Sequence, residues 1–150
     1  MSVRTTASAV VALPPGIRRS IVEEARRRAP DEACGLIVGD RPLDDGGRAS
    51  RWVPARNALA SPYRYAIDPD DLLRVTIETD ARGETIWGIV HSHVASPARP
   101  SATDVRESFY PEAVYVLVSL DPRESDPETG LESVRAWRIV DGAAREVRLA

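Results

Sequence analysis

The stretch GIVHSHVASPARPSATDV, residues 88–105, holds both histidines of the chain, His91 and His93, one residue apart. On a strand, residues i and i+2 point to the same face. If the strand ETIWGIVHSH persists to residue 93, the two imidazoles project together and Ser92 points the other way. Two neighbouring imidazoles are poor groups to bury without a partner and good ligands for zinc. Asp104 lies 11 residues beyond His93. A loop with Pro97 and Pro100 can fold back, and the helix it enters would present Asp104 near its N-terminus. Two histidines, an aspartate and a water make an open zinc site of the catalytic kind. The plainer alternative is a solvated polar loop. Asp104 also has a structural reading: Ser101-x-x-Asp104 resembles a capping box, although Glu or Gln is more usual at its last position. Both roles can coexist, because a carboxylate has two oxygens.

A zinc hydrolase also needs a base to take a proton from water. Glu32 is a candidate, at the lip of the apolar run EACGLIVG. By spacing alone it reads as a solvated residue at a strand entrance. Ser101 could donate a hydrogen bond to an oxyanion, or simply cap the helix that follows. Cys34 lies inside the apolar run, where cysteine behaves as a small buried hydrophobe rather than a nucleophile. Trp52, Trp87 and Trp137 are far apart in sequence and read as core or edge packing.

The elements that must carry these residues follow from periodicity and punctuation. SAVVAL (8–13) reads as a short strand. PPGIRRSIVEEARRRAP reads as a helix, with Ile17, Ile21, Val22 and Ala25 at helical spacing, prolines in its first turn and Pro30 ending it. EACGLIVGD (32–40) is a buried strand. ASRWVPARN (49–57) and YRYAID (63–68) are strand-like. DPDDLLRVTIETDARG is a second helix, with Asp68 as cap and Pro69 in the first turn. SATDVRESF is a short third helix with Ser101 as N-cap. AVYVLVSL (113–120) is a continuous apolar strand, expected at the centre of the sheet. SVRAWRIV and REVRL flank DGAA as a hairpin. The mixture predicts a single α/β domain, residues 1–150, with a mixed β-sheet and flanking helices.

Composition narrows the function classes. The chain has 150 residues and a net charge of −3, with 20 basic and 23 acidic residues interspersed. It carries no basic stripe, which argues against nucleic-acid binding. Every basic residue is arginine, so only the amino terminus could take an amide-linked modifier. One cysteine excludes an intramolecular disulfide and a CxxC zinc site. No apolar run approaches the roughly 20 residues of a membrane span, and AVVAL followed by Pro-Pro is no signal-peptide core. A soluble cytoplasmic protein is expected.

DEACGLIVG followed by HSHVASPARPSATD resembles the JAMM, or MPN-plus, metallopeptidase family. The family pattern is Glu, then H-x-H, seven residues, Ser, two residues and Asp. Glu32, His91, His93, Ser101 and Asp104 match it in order and spacing. NALASPYRYAIDPDDLL, YVLVSLDP and WRIVDG extend the likeness over most of the chain. These segments look most like the small prokaryotic branch, especially the peptidase that releases cysteine from a ubiquitin-like sulfur-carrier protein. The resemblance implies a cytidine-deaminase-like α/β fold and Zn2+ on His91, His93 and Asp104. It implies Glu32 as general base and acid, and Ser101 as oxyanion-stabilising donor. It also implies a ubiquitin-like sulfur-carrier protein as the substrate partner. Two further readings are a deconjugase for another ubiquitin-like modifier and a non-catalytic scaffold domain. A zinc deaminase needs H-x-E and P-C-x-x-C, which this chain lacks. Val94 stands where the family commonly has proline, and leaves the backbone after His93 less constrained. The turn at 40–48 and the loop at 121–131 are short, against the longer insertions of eukaryotic deubiquitinating members.

Overall fold

The computed structural model of the protein describes residues 10–150. Seven strands form one mixed sheet in the order β1-β7-β6-β5-β4-β2-β3. They are β1 (Val10–Val11), β2 (Cys34–Gly39), β3 (Ala49–Ala55), β4 (Thr85–His93), β5 (Val114–Ser119), β6 (Ser133–Val140) and β7 (Ala143–Leu149). Three α-helices join them: α1 (Pro15–Arg28), α2 (Pro69–Arg82) and α3 (Ala102–Arg106). Two neighbouring pairs, β4 with β5 and β1 with β7, run parallel, and the rest run antiparallel. The expected single α/β domain with a mixed sheet is what the chain adopts. Of the expected first strand only Val10–Val11 is paired; residues 8 and 9 lie outside the described residues.

Local chemistry explains the helices. α1 starts at Pro15, whose fixed φ suits a first helical position, and ends on Arg26, Arg27 and Arg28, which complement its negative end. It stops before Pro30 because a residue preceding proline avoids helical ψ; Ala29 is extended, with ψ 139°. α2 is capped by the Asp68 carboxylate, which accepts the Asp70 and Asp71 amides at 3.0 and 3.2 Å. It closes on Gly83 at φ 65°, a left-handed conformation that glycine adopts without strain. The β6–β7 hairpin turns on Asp141 and Gly142, both at positive φ as a two-residue primed turn requires.

The two helical faces of the sheet differ. Ile21 and Ala25 of α1 pack on Val90, Val114, Val116, Val118 and Ala136. Val75 of α2 packs on Leu36, Val38, Ile89, Tyr115 and Leu117 on the opposite face. Strand β5 is the middle strand and all six of its residues are buried, as a strand covered on both faces should be. The tryptophans are packing residues. Trp87 is buried with its indole N–H on the Gly47 carbonyl, and Trp52 lies over Gly35, where a Cβ would overlap its ring.

The segment YRYAID is not a strand. A single bridge between Asn57 and Ile67 is its only sheet-like pairing. The reason is chemical: the Asn57 side chain takes the Arg64 carbonyl and the Ala66 amide, the groups a ladder would have used. Alternation survives only in part. Tyr65 and Ile67 pack inward while Tyr63 is exposed. Among the described residues no helix is long and apolar enough to cross a membrane.

Candidate functional site

Strand β4 continues to His93, so His91 and His93 share the α2 face with Ile89, and Ser92 turns to the other side. Both imidazoles are buried, at 1% and 6% exposure, and their Nε2 atoms lie 3.3 Å apart. Asp104 Oδ2 completes a triangle, 3.0 Å from His91 Nε2 and 3.1 Å from His93 Nε2. Asp104 occupies the third position of α3. Its amide donates to Ser101 Oγ at 3.0 Å and its Oδ2 accepts the Ser101 amide at 2.9 Å. The capping box is therefore real, built with Asp in place of Glu, and the same carboxylate reaches the histidines.

The triangle has an unsatisfied logic that a cation resolves. His93 Nδ1 lies 2.7 Å from the Pro97 carbonyl, which can only accept, so Nδ1 carries the hydrogen. In the neutral ring Nε2 is then bare. It points its lone pair at a carboxylate oxygen and at a second imidazole. A proton or a metal ion must sit among them. Bonds of about 2.0–2.1 Å at a tetrahedral centre put ligand atoms about 3.3 Å apart, and the three observed edges are of that size. These donors fit a metal ion. Titration agrees for Asp104 and His91, whereas at His93 burial is outweighed by Asp104 and the Pro97 carbonyl, which raise its pKa. Burial alone would raise the Asp104 carboxyl, but its close contacts with His91 and His93 outweigh it and hold the group well below the usual carboxylate range. Burial lowers the His91 pKa, favouring the neutral, ligating form.

Glu32 lies beside this triangle. It stands two residues before the first residue of the buried β2 and is itself 4% exposed. Cys34 pairs with His91 across the β2–β4 ladder, so continuing that register brings Glu32 level with His93. One Glu32 carboxylate oxygen and a ring nitrogen from each histidine lie within 4.8 Å of one another. Glu32 Oε1 is buried with no hydrogen-bond partner. Burial lifts its pKa to about 7, partly opposed by His93. The reading of Glu32 as a solvated residue is thereby excluded. Ser92, the middle residue of H-S-H, ties the two halves together: its Oγ accepts the Ala33 amide at 2.8 Å and its amide donates to the Ala33 carbonyl at 3.0 Å.

The loop after His93 is held without a proline at position 94. Three consecutive carbonyls each accept from a different strand: Ser96 from Ser119 Oγ at 2.6 Å, Pro97 from His93 Nδ1 at 2.7 Å, and Ala98 from Trp137 Nε1 at 3.0 Å. These bonds supply the constraint that Val94 does not. Ser101 Oγ uses its accepting side on the Asp104 amide, which leaves its hydrogen free to be donated.

Tyr65, Asn57 and Ser119 are site residues that sequence reasoning missed, and Trp137, a packing residue, also braces the loop through the Ala98 carbonyl. The Tyr65 ring stacks on His91, with centroids 4.2 Å apart and planes 18° apart. It also lines a cavity of about 450 Å³ with Ile67, Leu72, Ile89, Tyr110 and Tyr115. Cys34 is buried beside the site, with Sγ near the Ala55 and Arg56 carbonyls, and burial pushes its thiol up to about 12. It is a buried core residue whose thiol is held in its protonated, unreactive form.

The fold and the buried histidine–carboxylate cluster define a JAMM-type domain, and sequence comparison agrees. Residues 14–140 match the family described as prokaryotic homologs of the JAB domain, and the chain belongs to that family. It is 38% identical over 138 residues to the CysO-cysteine peptidase of Mycobacterium tuberculosis, covering 91% of this chain and 88% of that protein. It is 33% identical over 131 residues to a probable TtuB-protein conjugate cleaving protease of Thermus thermophilus, covering 84% of this chain and 76% of that one. The solution structure of a protein from Desulfitobacterium hafniense superposes with a TM-score of 0.77 at 29% identity, covering 94% and 92% of the two chains.

Proposed function

We propose that this protein is a zinc metallopeptidase acting after the C-terminal Gly-Gly tail of a ubiquitin-like sulfur-carrier protein, releasing cysteine or a conjugated amine. The observation that carries the reading is the triangle of Asp104 Oδ2, His91 Nε2 and His93 Nε2, with edges of 3.0, 3.1 and 3.3 Å. In this proposal those three residues hold zinc. Two carboxylates lie near the histidines, and their geometry favours different roles. The Asp104 oxygen is at ligand spacing from both nitrogens, whereas a Glu32 carboxylate oxygen lies within 4.8 Å of the pair and its Oε1 is left without a hydrogen-bond partner. A bound zinc contributes Lewis-acid polarisation of the scissile carbonyl and a water acidified to near neutral pH.

The chain's residues do the rest. Glu32 takes a proton from the attacking water on its carboxylate and returns it to the leaving nitrogen. A carboxyl with a pKa of about 7 can do both near neutral pH. The free hydrogen of Ser101 Oγ is donated to the oxyanion as the carbonyl becomes tetrahedral. Because His91 and His93 are almost fully buried, the scissile bond must reach below the surface. Glycines, with no side chains to clash, suit that approach. A bulky residue in place of the substrate's last glycine is expected to abolish cleavage. A cytoplasmic site of action belongs to the same proposal.

The test measures bound zinc and the intact mass of a ubiquitin-like sulfur carrier bearing a C-terminal cysteine adduct. The expected result is about one zinc per chain with loss of one cysteine mass, both removed by His91→Ala. Zinc without cleavage of that adduct would favour a second reading, a deconjugase for another ubiquitin-like modifier, which the similarity to the conjugate-cleaving protease of Thermus thermophilus supports. Neither zinc nor cleavage would leave a non-catalytic scaffold.

A further inference from the structure

We propose that Asn57 is the positioning residue of this site, its carboxamide fixing Glu32 against the histidine pair and Tyr65 against His91. The inference rests on the reading of Glu32 as the base. Asn57 Nδ2 donates to the Glu32 carbonyl at 3.1 Å and to the Arg64 carbonyl at 3.0 Å. Its Oδ1 accepts the Leu59 amide at 3.0 Å and the Ala66 amide at 3.1 Å. Both donors and both lone pairs of the side chain are used. Three of the four partners fall on two targets, and the fourth, the Leu59 amide, closes the turn that Asn57 itself begins. One target is Glu32 itself. The other is the pair of peptide groups flanking Tyr65, the Arg64 carbonyl and the Ala66 amide.

Both targets need such support. Glu32 stands before the first residue of β2, outside its ladder, and its Oε1 has no partner. Its place is therefore set through its backbone. Its amide donates to the Ser61 carbonyl at 2.9 Å, and its carbonyl accepts from Asn57. Both contacts come from residues 57–61, the segment whose turn the Asn57 side chain closes. His91 has the matching need, because its Nδ1 is buried without a partner and its ring rests on Tyr65 instead. Asparagine is the residue type the geometry requires. Two partners are carbonyls and two are amides, so an aspartate would set a carboxylate against two carbonyl oxygens.

A turn residue and a positioning residue are separable by experiment. Asn57→Asp keeps the acceptor that closes the turn and loses both donors; Asn57→Ala loses all four bonds. Amide hydrogen exchange of the zinc-loaded protein reads the clamp through the Glu32 amide, which donates to Ser61 beside it, with no substrate. In Asn57→Asp the Glu32 amide is expected to exchange severalfold faster while Leu59 and Ala66 stay near the parent. In Asn57→Ala all three accelerate. With the cysteine-tailed carrier, both variants are expected to keep their zinc and a nearly unchanged KM while kcat falls by up to about 10²-fold, as a displaced catalytic group costs. Unchanged Glu32 exchange in Asn57→Asp, or an unchanged kcat alongside faster exchange, overturns the proposal. If Asn57→Ala does not fold, Asn57→Asp decides alone. If the parent protein cleaves no carrier, the functional reading fails, and the exchange rates still decide whether Asn57 sets Glu32.

Discussion

The site has two halves that are built in opposite ways. The histidine half lies within residues 91–104 and is over-determined. His93 is fixed through Pro97, three successive loop carbonyls accept from three strands, and Asp104 and Ser101 hold each other. The glutamate half joins residue 32 to residues 57–67 across the sheet, and its backbone is bonded while its reactive atom is not. The difference suits the two proposed tasks, holding a metal and moving a proton. Ligands must keep one geometry, and the bonds around His93 and Asp104, with the Tyr65 ring stacked on His91, do that. A base must exchange its proton, and a buried carboxylate oxygen without donors has the near-neutral pKa that exchange requires.

Breaking the histidine half should have the largest effect. His91→Ala or Asp104→Ala is expected to lose both metal and turnover, beyond the about 10–100-fold that loss of an outer partner costs. A chelator should do the same to the parent, and added zinc should restore the parent but neither variant. Metal analysis beside a rate assay checks this. A variant that keeps its zinc would remove that residue from the ligand set.

Breaking the glutamate half should separate metal from chemistry. Glu32→Gln is expected to bind zinc as the parent does and to turn over about 10²–10⁴-fold more slowly. Parent-like turnover would end the role of Glu32 as base. Ser101 joins both activities, since it caps α3 and, in the proposed mechanism, donates to the oxyanion. Ser101→Ala is expected to lower kcat by about 10²–10³-fold and stability by about 1 kcal/mol, read from kinetics and a denaturant melt. A stability loss with unchanged kcat would leave Ser101 as a cap alone.

The two halves also differ in how far the sequence reveals them. The histidine half is legible because its signals are local. Period-two alternation aligns His91 with His93, and Ser101-x-x-Asp104 announces a helix start that turns the carboxylate back. Nothing local ties Glu32 to that strand; only the family resemblance did, because the link is a β2–β4 register formed between distant segments. Tyr65 was hidden for another reason. Its segment alternates like a strand, but a side chain, Asn57, takes the backbone groups that pairing would have used. The same distinction holds for the fold. Capped helices and the apolar β5 are readable from their own residues. The parallel pairing of β1 with β7 joins the two ends of the described chain, and no local pattern encodes it.

Cys34 gives the smallest expected effect and the sharpest check on the boundary of the glutamate half. It is the register partner of His91, so proximity alone would make it part of the chemistry. Its surroundings argue otherwise. The thiol is 1% exposed and burial raises its pKa to about 12, so near neutral pH the reactive thiolate is scarce. Alkylation of the folded protein should therefore be orders of magnitude slower than after denaturation, and should not precede unfolding. Cys34→Ala removes one buried sulfur and is expected to cost about 1 kcal/mol of stability while turnover stays within about twofold. Rapid labelling accompanied by loss of activity would extend the reacting group to Cys34. Slow labelling with unchanged turnover would confine that half's chemistry to the unpartnered oxygen of Glu32.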